Sequence, residues 1–348
     1  EAKEALAAKM PVADILWHYE DFCDPRRGWN FHGREPEPSA FDAAVERRLA
    51  AGGAELGGDH FKACNFGKLL ERLLKVRKNG AVWWEHLVPA ADAMLDDLKA
   101  ERLHLVHGAG PRSLQELAAE ALSERAEAAE VPKAVLESVP SSQLRVAVLG
   151  DASGSMQVAI DAACIVGAMM CAIFDAELVF FNHRAFRSQV AAAPKTAGEV
   201  LAVANEVRAG GGTSPAAALD EFYKAKAPVD LFIVCTDEAE NNYVHRDGAG
   251  AFHQLFLKYR AEVHAGAALS FVSFLDSPRD PGQMVTQLRG VGVEPAQFRF
   301  DGARPDLSKF QALLASVMDQ ARDLVRGQDA LGTGPEALPA ARQASEAA

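Results

Sequence analysis

Residues Leu144–Met156 read LRVAVLGDASGSM, and their order decides the fold. Leu144 to Gly150 is an apolar, β-prone run with one arginine. A short acidic, hydroxyl-rich loop follows, and then a long apolar segment, IDAACIVGAMMCAIF, ends at Phe174. That order predicts a buried strand, a loop and a helix, the helix running from Met156 to Phe174. The loop places Asp151, Ser153 and Ser155 at alternate positions. A carboxylate and two hydroxyls are hard oxygen donors, suited to Mg²⁺ or Mn²⁺ more than to a soft metal. Gly154 lets the turn tighten. Serines at a helix start also serve as N-caps, so by itself the loop supports either use.

Two later stretches bear on the choice. Gly210-Gly211-Gly212-Thr213-Ser214-Pro215 is a flexible loop entering a helix, with a hydroxyl at its tip. Val229 to Cys235 (VDLFIVC) is a second buried-strand run and leads into Thr236-Asp237-Glu238. Two apolar strands thus end in Asp at the same kind of position. In a parallel α/β sheet such ends lie on one edge, where ligands bind. Three loops then bring together Asp151, Ser153, Ser155, Thr213 and Asp237.

This set resembles the metal-ion-dependent adhesion site (MIDAS) of the von Willebrand factor A family, whose pattern is D-x-S-x-S, then Thr, then Asp, in this order. The resemblance covers roughly residues 141–326, and the DASGSM form, with Met156, is similar to intracellular members. It implies a doubly wound, mostly parallel, Rossmann-like α/β domain. It implies Mg²⁺, with Mn²⁺ or Ca²⁺ as alternatives, held partly through water at those five residues. It also implies an open coordination position that captures an acidic group of a partner.

The chain has 348 residues and a net charge of −12. Residues 1–140 hold 18 Lys/Arg and 24 Asp/Glu, and the remainder the same, so each part carries 18 − 24 = −6. Neither part has the basic excess expected of a nucleic-acid binder. Cysteines 23, 64, 164, 171 and 235 are odd in number and form no CxxC pair. Cys164, Cys171 and Cys235 sit in apolar runs, which predicts buried reduced thiols, a reducing compartment and a cytoplasmic location. No run of 18 apolar residues predicts a membrane span. The chain opens on Glu1, which fits a processed or truncated start and leaves an organelle open after presequence removal.

Residues 1–140 read as a small all-helical domain, 141–328 as the α/β domain and 329–348, rich in Ala, Gly and Pro, as a disordered tail. Helices are expected over 1–23 with a break at Pro11, over Phe41–Ala51 capped by Ser39, over Phe61–Lys78 ending at Asn79-Gly80, over Pro89–His107, and over Leu114–Glu130 with a Ser113/Glu116 capping box. Pro25–Ser39 is expected to be a loop. Trp83 and Trp84 read as packing anchors. Lys62, Lys68, Arg72, Lys75, Arg77 and Lys78 read as a solvated helix face, with a phosphate-contact surface as the other use. After the helix ending at Phe174, strands are expected at Glu177–Asn182, Phe186–Val190 (antiparallel), Val229–Cys235, Ala267–Leu275 and Gln297–Phe300. A last helix is expected over Leu307–Val325.

Neither a Walker A motif, nor GxGxxG, nor a zinc motif is present, and no nucleophile–base pair stands out. Glu238, Glu240 and His245 read as a polar loop at a strand end, and His183 as structural. The expected function is therefore a non-enzymatic, metal-dependent protein-interaction module. A helical unit followed by an A-like domain is also similar to the Ro/TROVE family, which implies RNA or a ribonucleoprotein partner. However, residues 1–140 are too few for that family's ring. A third reading is an adaptor for an AAA+ ATPase carried on a separate chain.

Overall fold

The computed structural model describes residues 9–22, 39–51, 65–106, 144–241 and 251–332. Six strands form one sheet: β1 (Val146–Asp151), β2 (Glu177–Phe181), β3 (Ala185–Phe186), β4 (Leu231–Thr236), β5 (Ala268–Leu275) and β6 (Ala296–Asp301). Their order is β3-β2-β1-β4-β5-β6, and every pairing is parallel except that of β3 with β2. This is a doubly wound α/β sheet with the order reversing beside β1. β3 is shorter than expected. Glu206 takes the chain out of the sheet there, because its carboxylate accepts from Gln189 N, Val190 N and the Ser188 hydroxyl.

The central strands are buried on both faces, and alternate residues serve two cores. Val148, Leu178, Phe180, Ile233, Cys235 and Val272 face one core. Ala147, Leu149, Val179, Phe232, Val234 and Phe271 face the other. The second core is closed by α8 (Pro215–Lys224), α9 (Phe252–Glu262) and α10 (Gln283–Gly290).

The first core is deeper, because the N-terminal helices join it. These are α1 (Val12–Trp17), α2 (Tyr19–Phe22), α3 (Ala40–Ala50), α4 (Phe66–Lys78) and α5 (Val88–Val106). Between them and the sheet lies α6 (Ile160–Phe174), with α7 (Ala197–Glu206) packed on α6, α4 and α5, and α11 (Phe310–Gly332) packed on α4 and α5. That placement explains the sequence of α6, apolar all round: every residue from Ala163 to Phe174 is buried. It starts later than expected, since Gly154–Gln157 make a 3-10 turn first. One cluster of buried residues runs without a break from Val12 through Leu73 and Leu95 to Val148 and Ile165.

Among the N-terminal helices, Ser39 and Asp42 make a capping box at α3. The same Asp42 carboxylate accepts from Tyr19 Oη (3.0 Å) and Trp83 Nε1 (3.1 Å). Trp83 and Trp84 are buried as packing anchors, with the Arg77 guanidinium 4.7 Å over the Trp84 ring. Asn79 caps the end of α4, and Gly80 follows at φ 77°. The basic face of α4 is partly exposed, and its lysines are paired. Lys68 reaches Glu71 and Asp306, Lys75 pairs with Glu71, and Lys78 binds Asp161 of α6 at 2.5 Å. The Lys68–Asp306 and Lys78–Asp161 pairs tie the helix to the α/β elements. A lysine or arginine can reach such acids while its stem covers apolar surface.

Cys164, Cys171 and Cys235 are free and buried, and burial pushes the Cys171 and Cys235 thiols up to about 12. No described helix is long and apolar enough to cross a membrane. The expected loop over 25–39 apart from Ser39, the helix over 114–130, Cys23, Cys64, Lys62, His245 and most of the expected tail lie outside the described residues. α11 itself runs past Val325 to Gly332.

Candidate functional site

The register between β1 and β4 sets the site. Gly150 pairs with Cys235, so Thr236 lies across from Asp151 at the carboxyl ends of two parallel neighbours. Thr236 Oγ1 donates to Asp151 Oδ2 at 2.6 Å. Asp151 Oδ1 accepts from Ser153 N at 2.8 Å. Asp151 is the last residue of its strand and is 1% exposed. Asp237 follows Thr236 directly, partly exposed, with Oδ1 accepting from Ala239 N. The two carboxylates are close enough to act on each other. Burial first, and the Asp237 charge second, push the Asp151 carboxyl up to about 7, against the pull of the Thr236 and Ser153 donors.

Three loops are stitched together by backbone bonds. Gly154 N donates to Gly211 O (3.0 Å), and Gly210 N to Ala152 O (2.9 Å). The glycines permit this approach. A Cβ on Gly154 would lie 3.2 Å from Gly211 O, and Gly211 itself sits at φ 84°. The glycine loop is joined in turn to the third loop. Thr213 N donates to Asn241 Oδ1 (2.9 Å), and Asn241 N to Thr213 O (3.2 Å). All five residues expected around an ion therefore come to one sheet edge, on loops held to one another.

The hydroxyls are not spent as helix caps. Neither Ser153, at the 3-10 turn, nor Ser214, before α8, makes a side-chain capping bond. Ser153 Oγ lies 3.1 Å from Ser155 Oγ. Ser153 and Thr213 are buried, while Ser155 is exposed. Beside Thr213, the buried Ser214 hydroxyl has no hydrogen-bond partner among the described residues. Among those residues there is also no group of three or more His, Cys, Asp or Glu side chains placed to hold a metal. The donor set here is of another kind, two carboxylates and neutral hydroxyls. It fits a small hard cation: a buried carboxylate beside a second, partly exposed one, with the unpartnered Ser214 hydroxyl nearby, is a setting that a divalent ion relieves.

The loop after β4 holds residues whose roles the sequence did not disclose. Glu238 has φ 63°, which is uncommon for a side chain of its size. It is wholly buried and fully bonded. Its N–H donates to Thr236 Oγ1, Oε1 accepts from Ser273 Oγ and Gln297 Nε2, and Oε2 accepts from Val285 N in the first turn of α10. It is thus a remote N-terminal cap for that helix. Gly282 makes room for it, since a Cβ there would lie 2.1 Å from Glu238 Oε2. Glu240 Oε1 accepts from Phe252 N at the start of α9, and burial pushes its carboxyl up to about 7. So Glu238 and Glu240 are internal props that aim Asp237, more than the polar surface loop that was expected. His183 is exposed and lies against the glycine loop.

No protein-family model matches the chain, and no curated protein does. Among solved structures, a variant of the PilB minor pilin from Streptococcus sanguinis aligns with a TM-score of 0.35 at 13% identity, over 57% of this chain and 65% of that one. The Ro (RSR) protein of Deinococcus radiodurans aligns with a TM-score of 0.34 at 19% identity, over 93% of this chain and 62% of that one. The chain spans less than two thirds of the length of either protein. Likenesses of this size bear on neither activity nor partner.

Proposed function

We propose that the chain is a non-enzymatic, metal-dependent protein-interaction module. Asp151, Ser153, Ser155, Thr213 and Asp237 would hold one divalent ion, Mg²⁺ in a cell, through a mixture of direct and water-mediated contacts. When bound, the ion supplies positive charge with an open position, which captures a carboxylate of a partner. The rest is the work of the protein. The Thr236 hydroxyl and Ser153 N–H orient Asp151 for the ion. The Asn241 side chain holds the Thr213 loop. Glu238 and Glu240 fix the chain on either side of Ala239.

The observation that carries this reading is the stitching of three loops around two carboxylates that repel each other. A surface loop with only a structural role has no need of a buried carboxylate with a second one beside it. Among the described residues no base–nucleophile pair accompanies it, which is why binding is preferred to catalysis. The hydroxyls of Ser153 and Ser155 meet each other and cap no helix, which supports the ion reading over the capping one.

Calorimetric Mg²⁺ titration tests it. The wild type should bind at millimolar or better, and Asp151→Ala and Asp237→Ala should abolish binding. Ser153→Ala and Thr213→Ala should weaken it less, with circular dichroism unchanged in all four. Equal binding by wild type and Asp237→Ala would refute the site. A pull-down with and without chelator then separates the partner classes. A protein retained only with the ion supports this proposal, whereas co-purified RNA or an AAA+ ATPase would redirect it.

A further inference from the structure

The candidate ion site has a basic side. The β2–β3 turn, Asn182-His183-Arg184, is tied to the glycine loop because Asn182 O accepts from Ser214 N at 2.6 Å. The turn is closed on itself by Asn182 N to Arg184 O (3.1 Å) and Arg184 N to Asn182 Oδ1 (3.2 Å). At Gly211 a Cβ would stand 2.9 Å from His183 Nδ1, so the imidazole lies directly on the glycine. The carbonyl of that glycine accepts from Gly154 N, between Ser153 and Ser155. His183 is thus separated from the two serines by one strand of loop.

Both His183 and Arg184 are exposed. Among the described residues Arg184 has no ion-pair partner, whereas Arg187, on the same segment, is held by Glu177 and Glu221. The other side of the site is acidic. There Asp237 and Asp280 line an open cleft of about 340 Å³ with Thr286 and Gln287. Strand order puts these two sides on opposite flanks of β1, with β2 and β3 on one and β4 and β5 on the other.

We infer that the β2–β3 turn is a second anion contact, so that the site takes an acidic segment of a partner protein carrying two neighbouring carboxylates. One carboxylate meets the ion and the other meets Arg184 and His183. The inference rests on the metal-dependent reading above. A guanidinium suits the second carboxylate because its planar fork offers two parallel donors. An exposed ion pair contributes little by itself. Tethered to a carboxylate already on the ion, it closes as an intramolecular contact and adds to affinity. A nucleic acid fits less well. Its backbone needs cations along a track, and a polyanion running past the ion would meet Asp237 and Asp280.

The test uses the full chain in millimolar Mg²⁺ and two fluorescent Gly/Ser hexapeptides, one with a single central Glu and one with two adjacent Glu. The two-Glu peptide should bind about two- to fivefold tighter, beyond the twofold statistical factor. Arg184→Ala should remove that extra gain, His183→Ala should reduce it, and Arg184→Lys should keep part of it. Mg²⁺ affinity measured without peptide should stay as in wild type. An unchanged ratio between the two peptides in Arg184→Ala would overturn the inference. So would displacement of the two-Glu peptide by oligouridylate at lower concentration than by itself, which would assign the turn to nucleic acid. Failure of the underlying reading looks different: peptide binding would then be insensitive to EDTA in every variant.

Discussion

Replacing Asp151 by Asn gives a direct measure of how far the folded chain disfavours its own site in the absence of an ion. In the fold the Asp151 carboxyl is pushed up to about 7 by burial and then by the Asp237 charge. An unfolded aspartate titrates near 3.9. The neutral form is thus the one the fold prefers. The stability that Asp151 contributes is fully present below about pH 4 and is lost as pH rises through about 7. The difference between titrating near 3.9 and at about 7 corresponds to about 4 kcal/mol as an upper bound. Asn keeps the size and an acceptor for Ser153 N but cannot ionise. Urea unfolding in EDTA should therefore show the two proteins changing rank with pH. From pH 4.5 to pH 8 the unfolding free energy of Asp151→Asn should gain on the wild type by about 2–4 kcal/mol. Millimolar Mg²⁺ should narrow the gap at pH 8 by stabilising only the wild type. Because proton and ion compete for the same carboxylate, Mg²⁺ affinity should fall about tenfold between pH 8 and pH 6. Parallel pH–stability curves for the two proteins would refute the reasoning, since Asp151 would then carry no perturbed charge.

Glu240→Gln should stabilise the chain by about 1–3 kcal/mol at pH 8 and leave it unchanged near pH 4, because its carboxyl, raised to about 7 by burial, loses stability over the same window. Chemical denaturation at the two pH values checks this. Asp42→Ala leaves Tyr19 Oη and Trp83 Nε1 without their acceptor and opens the α3 capping box, so a loss of about 3–5 kcal/mol is expected, followed by tryptophan fluorescence. Gly282→Ala, at φ 86° and in collision with the Glu238 carboxylate, should cost more than the about 1–2 kcal/mol of an αL strain alone and should weaken Mg²⁺ binding by displacing the loop of Asp237. Thr236→Val removes a donor to Asp151 and should raise that carboxyl further, moving the pH midpoint of Mg²⁺ binding upward.

Much of this molecule was legible in one dimension. The runs around Val148 and Ile233 are apolar because both faces of a central parallel strand are buried, and such runs are visible without coordinates. Gly210–Gly212 and Gly154 mark loops that approach closely, and Ser39 and Asn79 mark helix ends by local chemistry. The doubly wound sheet and the convergence of Asp151, Ser153, Ser155, Thr213 and Asp237 on one edge follow from those local signals with the handedness of βαβ crossovers.

What tertiary structure alone decided is which polar groups meet across long separations in the chain. Nothing local to Lys78 announces Asp161 as its partner, so the basic helix face was visible in the sequence and the acid it reaches was not. Glu238 and Glu240 sit in a run of acids that reads as surface. They are buried because the starts of α10 and α9 bring unpaired backbone N–H groups to them. The Thr236–Asp151 bond depends on the register of β1 against β4, and the basic flank of His183 and Arg184 on the contact between the β2–β3 turn and Gly211. Sequence periodicity reports which side of an element is apolar, whereas a hydrogen bond or a charge pair requires two specific atoms within about 3 Å of each other, and only the folded chain sets that distance.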